Sequence, residues 1–120
     1  MKSKANSLTG AILNYIRMNH GHAERVNNYS RTIKRYGKDV YIPSAGFKGT
    51  ADIHACKRMY IPALDHTQIS LGRFVAIEVK IGKDKQSEAQ AYYQECVESA
   101  GGRYIIASDI DQFIREWEAI

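Results

Sequence analysis

Helical and strand patterns alternate along the 120 residues, and they predict an α/β protein built as a mixed β-sheet flanked by helices. Three features carry that expectation. Near the N-terminus Leu8, Ala11, Ile12, Tyr15 and Ile16 recur with helical spacing. The run Arg73-Phe74-Val75-Ala76-Ile77-Glu78-Val79-Lys80-Ile81 is rich in the branched residues that suit a buried, pleated position. Across residues 73 to 107 a strand, a helix and a second strand follow one another, with enough chain between the strands for a right-handed parallel crossover.

The elements are expected in the order α-β-β-β-β-α-β-α. Ser7 is the expected N-cap of a first helix over Leu8 to Met18, which Asn19-His20-Gly21 ends. A polar, basic, Tyr-containing stretch follows. Within it Thr32-Ile33 and Val40-Tyr41-Ile42 flank the turn-like Tyr36-Gly37-Lys38-Asp39, a pattern that predicts an antiparallel hairpin. Gly46-Phe47-Lys48-Gly49-Thr50 leads into a short strand from Ala51 to Lys57, and Arg58 to Gly72, with Pro62 and Asp65, reads as a connection to the strand at 73–81. A basic loop, Gly82-Lys83-Asp84-Lys85-Gln86, then reaches a helix running from about Ser87 to Ala100. Its start, Ser87-Glu88-Ala89-Gln90, has the form of a capping box. Gly101-Gly102 stops it, Arg103 to Ala107 forms the next strand, and a last helix capped by Ser108 presents Ile110, Phe113, Ile114 and Trp117 on one face.

The length fits a single domain spanning 1–120. A hydrophobic share of 44% with 25% charged residues is ordinary for a globular chain, which excludes fibrous and disordered classes. No apolar run reaches the roughly 18 residues of a membrane span, and the start of the chain lacks a signal-peptide core, so a cytoplasmic setting is expected. Cys56 and Cys96 stand in different elements without CxxC spacing, and both read as small apolar residues of a reducing compartment. The net charge of +4 is unevenly spread. Residues 1–48 set nine Lys or Arg against Glu24 and Asp39, whereas the remainder is acidic. A basic half suits a polyanionic partner, because each neutralised phosphate releases condensed counterions, although solvated surface charge has the same composition.

Chemistry is expected where local pattern and local charge conflict. Strand alternation sends Val75, Ile77, Val79 and Ile81 to one face and Ala76, Glu78 and Lys80 to the other. A carboxylate and an ammonium two residues apart in an apolar strand are costly unless they face a partner, a metal or a cleft. Asp52 would meet Glu78 if its strand lies alongside. Two carboxylates at one edge make an oxygen-rich site for a hard divalent cation such as Mg²⁺ (or Mn²⁺), with Lys80 beside it to stabilise developing charge or hold a nucleophilic water. The plain alternative is a structural Glu78–Lys80 pair on an exposed strand face.

Taken in order, Gly49-Thr50-Ala51-Asp52, Ile77-Glu78-Val79-Lys80, Gln90 after a short basic loop, and Gly101-Gly102 at a helix end resemble the VRR-NUC family of the PD-(D/E)xK nuclease superfamily. The resemblance extends from about Ile12 to Ile106. It implies a restriction-endonuclease-like core and a divalent-metal-dependent DNA endonuclease. Asp52 and Glu78 are then metal ligands, the backbone carbonyl of Val79 is a further ligand, and Lys80 is the catalytic lysine. Gln90 matches a glutamine that faces the active site, while its competing role is the capping-box partner of Ser87. Stand-alone domains of this kind act on branched DNA, four-way junctions included, as homodimers, which suits a bacterial or phage setting in replication and repair.

Two departures stand out. Ala51 replaces the proline that many relatives carry before the aspartate, and residues 8–18 contain no acid where many superfamily members have a first-helix glutamate, leaving Glu24 as the nearest candidate. Lys48, Lys83 and Lys85 flank the expected site and are candidate phosphate ligands, with Arg25, Arg31, Lys34 and Arg35 extending the DNA-binding surface. His20, His22, His54 and His66 have no metal-binding spacing, but His54 shares strand parity with Asp52. Tyr29, Tyr36 and Tyr41 are candidates either for stacking on unpaired bases or for cross-strand packing. Two other classes of function fit the same features: a DNA-binding module with a nuclease-like fold and no activity, and a nuclease subunit of a larger complex.

Overall fold

The computed structural model describes residues 3–26, 31–42 and 46–120. Tyr29 and the side chain of Arg31 lie outside them. The first helix, α1 (Lys4–Met18), begins a turn earlier than the apolar spacing indicates. Its cap is Ser3, whose hydroxyl accepts from the Asn6 amide at 3.1 Å, while Ser7 sits inside the helix and donates its own amide to the Ser3 carbonyl. Periodicity marks where burial begins, at Leu8; the cap marks where the backbone turns in.

Among the described residues five strands, not four, precede the second helix. The additional strand is β1 (His22–Arg25), which pairs antiparallel with β4 (Ile53–Pro62). Only Ala23 in it is buried, so it carries no alternating apolar signal and exists through its edge pairing. The expected hairpin forms as β2 (Arg31–Arg35) and β3 (Lys38–Ile42), a two-stranded sheet of its own. Tyr36 and Gly37 both take positive φ, 53° and 74°, the combination that a two-residue turn needs to match strand twist.

The stretch from Arg58 to Gly72 is no loose connection. β4 and β5 (Gln68–Val79) form one long antiparallel hairpin whose ladder runs from Ile53↔Ile77 out to Pro62↔Gln68. The Ala63 amide closes its tip by donating to the Thr67 carbonyl at 2.8 Å. Most side chains in the outer half are exposed, so the ladder leaves no burial pattern to read. After β5 come α2 (Glu88–Ser99), β6 (Arg103–Ala107) and α3 (Ile110–Glu118). Asp109 caps α3 in place of Ser108, by accepting from the Gln112 amide at 2.8 Å, and the Ser108 amide instead donates to the Gln112 side chain. β6 lies parallel to β5, as the strand, helix, strand succession requires.

The main sheet has the order β1-β4-β5-β6, mixed in sense and flanked by helices on both faces. On one face α1 and α3 bury Ile12, Ile16, Phe113 and Trp117 against Ile53, Val75, Ile77 and Ile105. On the other, Tyr93 and Val97 of α2 cover Ala51, Ala76 and Tyr104. Each fully buried aliphatic or Phe side chain contributes roughly 1.5–3 kcal/mol, and the larger core therefore anchors the strands whose opposite face carries the charges. Among the described residues no helix is long and apolar enough to cross a membrane.

Candidate active site

Strand alternation holds as the sequence predicts. Val75 and Ile77 join the α1/α3 core, which sends Ala76 and Glu78 to the α2 side. Because Ile53 pairs with Ile77 in an antiparallel ladder, the residue before one adjoins the residue after the other, which brings Asp52 beside Glu78. Asp52 also ends the regular ladder. Its Oδ2 accepts the Val79 amide at 2.8 Å, while its own carbonyl accepts from Val26 at 2.8 Å. In an extended residue the N–H and C=O lie along the same strand edge. The Val79 carbonyl is thus directed to the edge where Asp52 sits, while the next amide, that of Lys80, turns away to donate to the Ala107 carbonyl at 2.9 Å.

Glu78 is only 3% exposed. Its Oε1 accepts from the Gln90 side-chain amide at 3.0 Å and lies 3.8 Å from the Lys80 ammonium. Its Oε2 is buried and, among the described residues, meets no N–H or hydroxyl donor. Burial pushes the Glu78 carboxyl up to about 8, the adjacent Asp52 charge and a carboxyl–carboxylate hydrogen bond to Asp52 add to the rise, and Lys80 opposes it. A buried carboxyl with one orphaned oxygen, next to a second carboxylate, needs a proton or a cation.

Gln90 makes the capping-box contacts and a contact to Glu78 at once. Its Oε1 accepts from the Ser87 amide at 2.9 Å and the Ser87 hydroxyl accepts from the Gln90 amide at 3.1 Å, which completes the capping box, while its Nε2 reaches Glu78. The cap therefore aims the side chain into the site.

A second layer lies one residue pair further along the same face. There Glu24, His54, Ala76 and Tyr104 stand in register across the four strands. His54 Nε2 lies 2.8 Å from Thr50 Oγ1 and 3.1 Å from Tyr93 Oη, and burial lowers its pKa against the opposing pull of Glu24. Glu24 shares this face, yet its exposed carboxylate pairs with His22 at 3.1 Å on the edge strand. The sequence names His54 through its parity with Asp52 but misses Tyr93. Its signal was available: Tyr93 lies three positions after Gln90, hence on the same side of α2.

Residues 47–50 are fastened to this layer. Thr50 donates its amide to the Phe47 carbonyl at 3.1 Å, and Gly49 takes φ 80° with its Cα against the start of α2. A Cβ there would fall 2.3 Å from the Ala89 carbonyl oxygen, so only glycine permits the approach.

The structure thus gathers Asp52, Glu78, Val79, Lys80 and Gln90 at one end of the β4–β5 ladder. Lys48, Lys83 and Lys85 are exposed on the two segments bordering it, 47–50 and the loop into α2. Arg25, on the β1 edge, donates to the Asn6 side chain at 2.8 Å. Lys34 and Arg35 are exposed on the separate β2–β3 sheet and share no ladder with the acids. Tyr36 and Tyr41 are exposed on the same sheet. Among the described residues no three His, Cys, Asp or Glu side chains cluster, so the acidic centre consists of the Asp52–Glu78 pair. No protein-family model matches the chain, and no curated protein matches it by sequence.

Proposed function

We propose that the chain is a divalent-metal-dependent DNA endonuclease with a restriction-endonuclease-like core, in keeping with its resemblance to the VRR-NUC family. One observation supports this reading above the others: a buried glutamate with an unsatisfied oxygen adjoins a second carboxylate, an ammonium and an amide at the open end of a strand ladder. A Glu78–Lys80 pair alone does not account for that oxygen or the neighbouring acid; a proton shared with Asp52 or a cation would. The donor set fits a hard cation. Asp52 through its second oxygen, Glu78 through Oε2 and the Val79 carbonyl would hold Mg²⁺ or Mn²⁺. When bound, such an ion supplies Lewis-acid polarisation of a phosphoryl oxygen and a more acidic water.

The chain's own groups supply the rest. Gln90 fixes the Glu78 carboxylate in one orientation, and the Asp52 hydrogen bond to Val79 fixes the strand end. Lys80 sets a positive charge beside the position where the phosphorane carries its extra negative charge. A water oxygen bonds to phosphorus and loses a proton to solvent, the phosphorus–oxygen ester bond breaks with its electron pair going to the departing oxygen, and that oxygen takes up a proton from solvent. Lys48, Lys83 and Lys85 border this point and, with the basic N-terminal half, favour binding to the sugar-phosphate backbone.

Branched DNA such as a four-way junction is the proposed substrate, with a homodimer supplying one active site per cut strand and a cytoplasmic setting in bacterial or phage repair. Apolar Met59, Ile61, Ile69 and Leu71 fall on one face of the outer β4–β5 hairpin, a surface suited to a second copy. Labelled junction, flap and duplex DNA incubated with Mg²⁺, Mn²⁺ or chelator test the proposal. Cleavage by wild type with metal, lost with chelator and reduced at least a hundredfold in Asp52→Ala and Lys80→Ala, is expected. Binding without cleavage under every condition would instead indicate an inactive DNA-binding module, and cleavage restored by a partner a nuclease subunit.

A further inference from the structure

On the segment before Asp52 and on α2, two aromatic rings stand at the surface. Phe47 is 51% exposed and Tyr92 60% exposed, and their rings lie nearly parallel, 19° apart, with centroids separated by 6.2 Å. Adjacent exposed rings are costly in water and mark a contact surface. Their support is rigid. Phe47 also packs at 5.7 Å on the buried ring of Tyr93, whose hydroxyl meets His54, and its backbone is held by the 47–50 turn that Gly49 seats on α2. Neither aromatic ring belongs to the sets that hold a cation or activate water.

We infer that Phe47 and Tyr92 form a stacking platform for an unpaired nucleobase, within a few nucleotides of the phosphate that the proposed Asp52–Glu78 site would hold. The inference rests on the nuclease reading and narrows its substrate to DNA with a single-stranded segment at the cut. Distance supports it. Asp52 follows Phe47 by five positions, so their backbones lie at most about 17 Å apart, which puts the platform within a few nucleotides of a phosphate held at the acids. Charge supports it as well, because Lys48 follows Phe47 directly and is exposed, which suits the phosphate attached to a stacked base. The chemistry selects against duplex. Paired bases hide their faces in the helical stack and offer only edges and phosphates, whereas a splayed base offers a full π-face to an aromatic ring.

The test measures binding, not cleavage, in the Asp52→Ala background. Fluorescein-labelled twelve-residue oligo-dT and a twelve-base-pair duplex are titrated by anisotropy against that protein and against the same protein carrying Phe47→Ala and Tyr92→Ala. The single strand should bind roughly tenfold more weakly to the altered protein while duplex affinity stays within twofold. Equal weakening of both ligands, or none, overturns the platform. A second variant, Phe47→Trp, reads the same contact directly and guards against misfolding of the alanine variants. Its emission should be quenched by oligo-dT and not by an abasic strand of equal length; no quenching, or equal quenching by both, overturns the proposal. If the alanine variants change the oligomeric state and leave single-strand affinity intact, the surface belongs to a second copy and the inference falls. The two readings fail separately: quenching without cleavage by wild type leaves the platform and removes the nuclease, and cleavage unaffected by the alanine variants does the reverse.

Discussion

A carboxyl buried as Glu78 is holds its proton in the folded chain over a range where the unfolded chain has released it. Its ordinary value of 4.5 rises to about 8 in the fold, so between those limits the native state binds more protons. Stability from this group is complete below about pH 4.5 and is lost as pH rises through 8, because folding then buries a charge. Metal-free wild type should therefore lose thermal stability between pH 5 and 9 more steeply than Glu78→Gln, with the variant the more stable of the two at pH 9. Thermal unfolding across that range checks it, and parallel curves would remove the buried-acid account. Glu78 was legible in the sequence because a lone acid in Val75-Ala76-Ile77-Glu78-Val79 violates its surroundings. The orphaned Oε2 was not, since it depends on where Gln90 and Lys80 come to rest.

Helix α2 joins a capping box to the proposed catalytic centre through one side chain, and substitution separates the two contacts. Glutamate at position 90 keeps an acceptor for the Ser87 amide but loses the donor to Glu78 and adds a like charge there. Gln90→Glu should retain near-native helix content by circular dichroism while cutting cleavage at least tenfold; full activity would assign Gln90 to the cap alone. Gly49→Ala forces φ 80° on a side-chain residue and drives a Cβ into the Ala89 carbonyl. The backbone strain alone costs roughly 1–3 kcal/mol. Denaturant unfolding should register at least that loss.

At this scale the sequence was a good guide wherever a signal was local. The capping box at Ser87 and the β6 limits appear as read, and the hairpin forms where expected, with its turn shortened to Tyr36-Gly37 because Lys38 and Asp39 already pair in β3. β1 and the outer β4–β5 ladder were missed for one physical reason: both are held by backbone pairing, with side chains mostly in water, and exposed strands write no period into the sequence. The caps of α1 and α3 were each misassigned among neighbouring cap-forming residues, Ser3 against Ser7 and Asp109 against Ser108.

For the molecule as a whole, two opposed demands meet across one sheet. The α1/α3 side is a continuous apolar core, and its rigidity allows the other side to hold Asp52, Glu78 and Lys80 close together. Phe113→Ala, which opens a cavity in that core, should cost about 3–5 kcal/mol and destabilise the site only through global unfolding. The proposed binding to DNA would draw on the net +4 charge and the basic N-terminal half. Affinity should fall steeply between 50 and 200 mM salt, and a flat response would argue against phosphate contacts.

The central claim is that the Asp52–Glu78 pair receives a divalent cation, and calorimetric titration of Mn²⁺ at pH 8 tests it most directly. Wild type should bind one ion per chain with release of protons, visible as a dependence of the heat on buffer ionisation, and the Asp52→Ala, Glu78→Gln double variant should give no binding isotherm. Identical isotherms for the two proteins, or heats no larger than dilution in both, would contradict it.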